Sequence, residues 1–501
     1  MHSIRKKIIV LIFLTVIWIS QPLDTAHGDG GQWQSVIPGV DYKEFYIPGP
    51  NHLYVTRMDR SNPNLILDTS IAQGRLSGGL ETVSQMAGRY DQAINYWGEE
   101  WGNRNEVISG INGYFYDSET GIPWRGQVQS GWYAKRFDDN ENGSGFSWKL
   151  DRTIFLGGCV VHRPAKQYIK NLFSGEEVRL EGINSVLEDD ELILYTPQFD
   201  TTKYAGEDET DVIIQLNHPS MILNSPEFNE GVVRKVSRGQ SSIPIFFDHV
   251  IISGIGSSGA KLGELFHPGD KVAIFQEIKH FEQDCQTSQE TDWAKSYAAT
   301  GGSYILLKAG VIQKSNDLGA VLRNARTVLA YNEHYIYFVV VEDKQTFGNL
   351  GMSMVELSFF LKNRIGAIWA IALDGGGSST MYVDGEVKNK KTINETNSDD
   401  KNIERAVANG ILMVNVQPKQ FSNKFSAGEQ IFVSGVDFLS VRTGPGTNYG
   451  IVASLHQALT GEILDNKNGM NGIYAKGFYW WNVAFGEIEG WVAEDFIAPL
   501  N

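Results

Sequence analysis

The chain has 501 residues, 43 Lys and Arg against 59 Asp and Glu, a formal net charge of −16 and 42% hydrophobic residues. That length exceeds what one hydrophobic core covers, so several domains are expected. An acidic balance repels polyphosphates at long range and excludes nucleic acid as a partner; any phosphate chemistry must rest on local, focused arginines.

Arg5, Lys6 and Lys7 precede an apolar run over residues 8–19, and Ala26 and Gly28 stand as small residues at positions −3 and −1 of a cleavage site. Residues 1–28 read as a secretory signal, too short to span a bilayer comfortably, with an uncleaved anchor as the competing reading. The expected mature chain is secreted, extracellular or wall-associated and has no integral membrane segment. Cys159 and Cys285 are the two cysteines; in an exported chain they fit either one disulfide or two small buried residues.

Residues 29–74 alternate in polarity and predict strands at 54–58 and 65–67, packed on the main domain. Between 80 and 96, Val83, Met86, Ala87, Tyr90, Ala93 and Ile94 recur at helical spacing. An apolar run then leads into Asn112-Gly113, most simply a turn. Short alternating segments fill 153–250. Gly254-Ile255-Gly256-Ser257-Ser258-Gly259 satisfies a dinucleotide-binding spacing, with Glu277 further on, but Pro268-Gly269 leaves room for only a short helix.

Ser353 and Glu356 form a capping box at the start of a helix that Gly366 closes. Strand 339–341 ends in Glu342-Asp343, and the strand after the helix ends in Asp374. Such a crossover predicts a parallel pair with Asp343 and Asp374 on one edge. Gly375, Gly376 and Gly377 follow, then Ser378 and Ser379. Consecutive glycines are costly to order, so they mark a close approach to the backbone, and their amides with the two hydroxyls suit an anion. Neither a P-loop lysine nor a Gly-x-Ser-x-Gly elbow is present.

Leu373-Asp374-Gly375-Gly376-Gly377-Ser378-Ser379 resembles the LDGGGSS signature of the phosphodiester glycosidase family. Asn112-Gly113-Tyr114-Phe115, Leu194-Tyr195-Thr196-Pro197, Thr300-Gly301-Gly302, Arg326-Thr327 and Glu404-Arg405 resemble further motifs of that family, in order, over residues 75–416. Two departures, Asn349-Leu350-Gly351 and Tyr114, bear on sugar specificity. Residues 436–500, with Arg442-Thr443-Gly444-Pro445-Gly446 and a Trp-rich end, resemble a bacterial SH3-like domain.

The expected organisation is a signal peptide (1–28), N-terminal strands (29–74), a catalytic domain (75–417), a linker (418–433) and an SH3-like domain (434–501). The expected fold class is α+β, a mixed β-sheet catalytic domain with flanking helices, followed by a small all-β barrel. The resemblance implies cleavage of a sugar-1-phosphodiester on its glycosidic side. An oxocarbenium-like centre needs a nearby carboxylate, assigned to Asp374 with Asp343 second. Substrate binding is assigned to Asn112, Gly113, Arg326, Thr327, Gly375, Gly376, Gly377, Ser378, Ser379 and Arg405, with the two arginines as phosphate forks or, alternatively, buried salt-bridge residues. No cofactor is required, a single divalent cation staying open. Cell-wall peptide or glycan is the partner implied for the SH3-like domain. The rival classes are a non-catalytic wall-binding scaffold and a metal-assisted phosphodiesterase.

Overall fold

Strand wins over helix through most of the chain. The structure, a computed structural model, describes residues 31–49, 51–98, 100–137, 144–158, 160–162, 167–218, 220, 228–239, 241–276, 278–280, 296–343, 348–389, 404–465 and 469–500. The expected signal peptide, both cysteines and Glu277 lie outside the described residues. Among those residues the α-helices are Val83–Tyr90, Gly256–Leu265, Leu318–Val321 and Met354–Asn363, and the rest of the regular structure is strand apart from short 3₁₀ turns. The expectation of an α+β domain flanked by helices is therefore corrected: the protein is β-rich. The helical period over 80–96 shows why. Thr82 and Gln85 form a capping box, but the helix ends at Tyr90, Gln92 takes φ 57°, and Ile94–Trp97 is already a strand.

One eight-stranded sheet is antiparallel throughout, in the order Gln34–Ile37, Val40–Ile47, Asn51–Asp59, Tyr335–Val341, Arg326–Tyr331, Trp369–Ala372, Ile305–Lys308, Val311–Ile312. Here too an expectation is corrected. Tyr335–Val341 and Trp369–Ala372 run the same way but do not pair, because Arg326–Tyr331 lies between them. A tight hairpin claims that slot: the Asn332 carboxamide oxygen accepts from the His334 and Tyr335 amides at 2.9 and 2.8 Å.

Side-chain alternation in this sheet sorts two cores. Ile336, Phe338 and Val340 face a second antiparallel sheet containing Glu100–Asn112, Asn409–Gln417 and Leu65–Ile71, while Tyr337, Val339 and Val341 face the helix Met354–Asn363 through Leu357, Phe360 and Leu361. The helix carries the Ser353–Glu356 capping box read from the sequence. Residues 34–71 are thus woven into both sheets.

A third antiparallel-dominated sheet carries the helix Gly256–Leu265. The helix N-terminus is occupied by Asp190, whose carboxylate accepts from the Ser257 amide at 2.7 Å and hydroxyl at 2.6 Å. A Cβ at Gly259 would lie 2.5 Å from the Gly254 oxygen, so these glycines let helix and strand touch.

The C-terminal strands, from Gln430–Val433 to Ile497–Pro499, form a sheet of their own around Ile431, Val441, Ile463, Val483 and Val492. This unit docks on the rest of the chain through an apolar cluster joining Ile94 and Phe247 to Ile473, Trp480 and Trp491. Phe247 meets the rings of Trp101, Tyr449 and Trp491 at 5.2, 6.1 and 5.7 Å. The Lys476 ammonium donates to the carbonyls of Gly88 and Asp91 at 2.9 and 2.7 Å, placing a cation on the C-terminal end of the helix Val83–Tyr90. Phe247→Ala should cost about 3 kcal/mol or more in denaturant unfolding. Limited proteolysis of that variant should release the C-terminal unit before the main body is cut; unchanged stability would mean the cluster does not hold the two together.

Candidate functional site

The site grows from one buried carboxamide. Asn112 ends the long strand of the second sheet, and its Nδ2 donates to the Asp374 carbonyl at 2.8 Å. Its Oδ1 accepts from the Thr327 hydroxyl at 2.7 Å and the Thr380 amide at 3.2 Å. Both sheets and the glycine turn are thereby pinned by one side chain. Gly113 continues the clamp: its amide donates to the Asn409 carbonyl at 2.8 Å and its carbonyl accepts from the Asp374 amide at 3.0 Å. A Cβ at Gly113 would sit 2.0 Å from the Asn409 carboxamide oxygen. Asn112, Gly113 and Thr327, read from the sequence as substrate-binding, stand as supports of the turn.

Each of the three glycines answers to a different constraint. At Gly375 a Cβ would meet the Ala325 carbonyl oxygen at 2.7 Å; Gly376 has φ +60°; at Gly377 a Cβ would lie 2.4 Å from an Arg405 guanidinium nitrogen. The amides of Gly376, Ser378 and Ser379 donate to the carbonyls of Ala325, Gly375 and Gly376. These three amides fasten the turn internally.

What remains at the surface of this turn is a compact polar group. Asp374 is half-buried and follows the strand Trp369–Ala372; it accepts from the Ser378 hydroxyl and the Gly375 amide and feels the Arg405 charge. Burial is the largest influence and raises its pKa above the usual carboxylate value, the hydrogen bonds and Arg405 pulling the other way. Arg405 donates from Nη1 to the Ser378 hydroxyl at 3.4 Å. Its neighbour Glu404 caps the first turn of the helix Val83–Tyr90 by accepting from the Ser84 amide at 3.1 Å and the Ser84 hydroxyl, which fixes where Arg405 enters.

The other sequence candidates lie around this group. Arg326 begins the strand between the two aspartates, and its guanidinium donates to the carbonyls of Met352, Gly319 and Leu322 at 3.0, 2.8 and 2.6 Å. It is buried, and desolvation lowers its pKa. Asp343 leaves the same end of the sheet as Asp374, two strands away across Arg326–Tyr331 and two residues further along in register. Beside it Glu342 accepts from Tyr54 at 2.6 Å and Asn349 at 2.8 Å. Ser379 is buried, with its hydroxyl unpartnered and its carbonyl held by Asn389 at 2.8 Å. Asn389 and Asn409 escaped sequence reading, since a single asparagine in a loop or strand carries no pattern. Tyr116, whose hydroxyl donates to the Ala406 carbonyl at 3.3 Å, brings the 113–126 excursion against Arg405.

Comparison with known proteins bears on this arrangement. Residues 228–414 match the phosphodiester glycosidase family model. That span contains Arg326, Asp343, Asp374 and Arg405, while Asn112 lies outside it. Among curated proteins none matches. A hypothetical protein from Synechocystis shares 15% identity at a TM-score of 0.51, over 77% of this chain and 63% of its own length, so the chain spans under two thirds of that protein. A putative exported protein from Burkholderia pseudomallei aligns at 16% identity and TM-score 0.47, over 74% of each chain. The catalytic domain of zebrafish N-acetylglucosamine-1-phosphodiester alpha-N-acetylglucosaminidase, auto-inhibited by its pro-peptide, aligns at 12% and 0.36, over 78% of this chain and 87% of that one. The Synechocystis match establishes a shared fold.

The raised pKa of Asp374 has a stability consequence of definite sign. A folded pKa above the unfolded one favours the protonated form, so that stability is present below the unfolded pKa and is lost as pH rises through the folded pKa. Asp374→Asn should therefore gain in thermal midpoint relative to the parent on going from pH 3.5 to pH 7. A gain that shrinks over this range would mean Arg405 and the hydrogen bonds outweigh burial.

Proposed function

We propose that the chain is a hydrolase of glycosyl phosphodiesters that cleaves on the glycosidic side, with Asp374 as the main carboxylate. The family match over residues 228–414 supports the reaction class, and the Asp374–Ser378–Arg405 group inside that span supports the site. In this reading the phosphate is a good leaving group, so little general-acid help is needed, while the carboxylate stabilises or attacks the anomeric centre. Ser378 orients it. The ionised form acts, so the acid limb of kcat/KM lies above the pKa of an ordinary aspartate. Arg405, beside Gly377, takes the phosphate; Arg326, engaged by three carbonyls, holds the 319–325 segment against the turn. Asp343 is the second carboxylate. Secretion with wall association through the C-terminal unit belongs to the same proposal.

Asp374→Asn should abolish turnover of a sugar-1-phosphodiester in a folded protein. Retained turnover would remove Asp374 from the mechanism. Arg405→Lys keeps the charge and loses the planar fork; a charge-assisted hydrogen bond is worth about 1.5 to 3 kcal/mol, which converts to roughly a ten- to hundredfold fall in kcat/KM. A neutral aryl glycoside of the same sugar should lose much less. Equal loss on both substrates would assign Arg405 to the sugar or the fold instead of the phosphate. Turnover that survives chelation is expected, and its loss would favour the metal-assisted reading.

A further inference from the structure

Between the main body and the C-terminal unit lies a cavity of about 280 Å³ that plays no part in the site above. Its walls come from both units: Asn95, Trp101, Gln129 and Gln198 on one side, Asn448 and Tyr449 on the other. Asn95 is 1% exposed; its Nδ2 donates to Asn105 at 2.6 Å, while its Oδ1 is buried without a partner. The Asn448 Oδ1 and the Trp101 Nε1 are also buried and unpartnered. Buried polar atoms left in that state cost free energy, so three of them on residues lining one cavity point to a ligand that draws these side chains into contact.

The unused valences identify its chemistry. The Gln129 oxygen accepts from the Ile71 amide at 2.8 Å and the Gln198 oxygen accepts from the Thr196 hydroxyl at 3.2 Å, and among the described residues the nitrogen of each has no partner. The residues lining the cavity therefore carry unused donors at Gln129, Gln198 and Trp101 and unused acceptors at Asn95 and Asn448. Of the two arginines in its wall, Arg89 is paired with Glu81 at 3.0 Å, while Arg75 has its charge balanced by Asp200 at 3.8 Å and keeps a buried, unpartnered Nε as one more donor. Neutral amides that both give and accept, set among aromatic rings, suit a hydroxyl-rich neutral ligand better than an ion. We propose that this junction is a second carbohydrate site, separate from Asp374, taking one or two neutral sugar rings between the main body and the C-terminal unit. The volume of about 280 Å³ is just below the roughly 300 to 1,000 Å³ range of small-molecule pockets, which fits a ligand of that small size. Both units contribute to it, so occupancy ties them together and raises the thermal midpoint.

The test uses the full-length protein carrying Asp374→Asn, so that binding at the hydrolytic centre is neither followed by turnover nor confused with it. Glucose, N-acetylglucosamine and its β-1,4 disaccharide are titrated at millimolar levels, with an N-acetylmuramyl dipeptide as the anionic, peptide-bearing control. Calorimetry, tryptophan fluorescence and the thermal midpoint are read together. Saturable binding of a neutral sugar is expected, weakened about tenfold by Asn95→Leu and by Asn448→Ala, one lost hydrogen bond being worth roughly that factor. Asn448→Ala lies on a half-buried loop and keeps the test open should Asn95→Leu fail to fold. In the Asp374-competent protein, Asn448→Ala should leave phosphodiester turnover unchanged. No saturable sugar binding, binding that survives both substitutions, or binding of the peptide-bearing ligand alone would each overturn the proposal. The first of these would leave the hydrolase reading intact, because none of the junction residues touches Asp374.

Discussion

The carboxamide of Asn112 is the interaction the site depends on. A glycine turn by itself has many conformations of similar energy, and ordering three consecutive glycines costs more backbone entropy than any other tripeptide. Asn112 removes that freedom by giving to the turn's carbonyl and taking from its amide further on, while Thr327 holds the carboxamide from the opposite sheet. The contacts to Thr327 and Thr380 are buried and the one to Asp374 is partly buried, so breaking either of the first two leaves an unsatisfied polar group away from water. The two-sheet sandwich thus positions Asp374 through hydrogen bonds between its sheets, and the apolar core beneath them keeps those bonds dry.

Burying a carboxylate in such a place has to be balanced. Desolvation pushes the Asp374 pKa up, and the Ser378 hydroxyl, the Gly375 amide and Arg405 together limit the rise. Arg405 reaches its position because Gly377 has no side chain to obstruct the guanidinium. A methyl group there would displace the cation and leave only the Ser378 and Gly375 hydrogen bonds against burial, so the third glycine serves electrostatics while the second serves backbone conformation.

Much of the local structure of the candidate site was legible in the sequence because strand exit, glycine run and hydroxyls lie in one continuous stretch. The capping box at Ser353 was equally local, and it forms as read. What could not be read depends on residues far apart. Arg326 looks like a phosphate fork until the carbonyls of Gly319, Leu322 and Met352 converge on it, and carbonyls have no signature in a sequence. The parallel pair inferred from a strand–helix–strand order failed because the neighbouring hairpin, closed by Asn332, inserted its first strand between the two. The helical fraction was overestimated for a related reason: the apolar spacing at 80–96 continues past Tyr90, where the backbone has already turned and begun to pair.

The C-terminal unit illustrates how a module that looks separable in sequence becomes part of its neighbour. The loop around Thr443 and Tyr449, the most distinctive stretch of that unit, is turned inward: the Thr443 carbonyl accepts from the Phe247 amide at 3.0 Å, and Tyr449 packs on the Phe247 ring. Lys476 then completes the end of a helix that belongs to the main body, the same helix whose beginning Glu404 caps next to Arg405. One eight-residue helix therefore has its N-terminus fixed by the neighbour of Arg405 and its C-terminus fixed by the C-terminal unit. So short a helix holds its shape through its ends and its packed face rather than through propensity. The C-terminal unit thus holds one end of a helix whose other end is held one residue from the guanidinium beside Asp374.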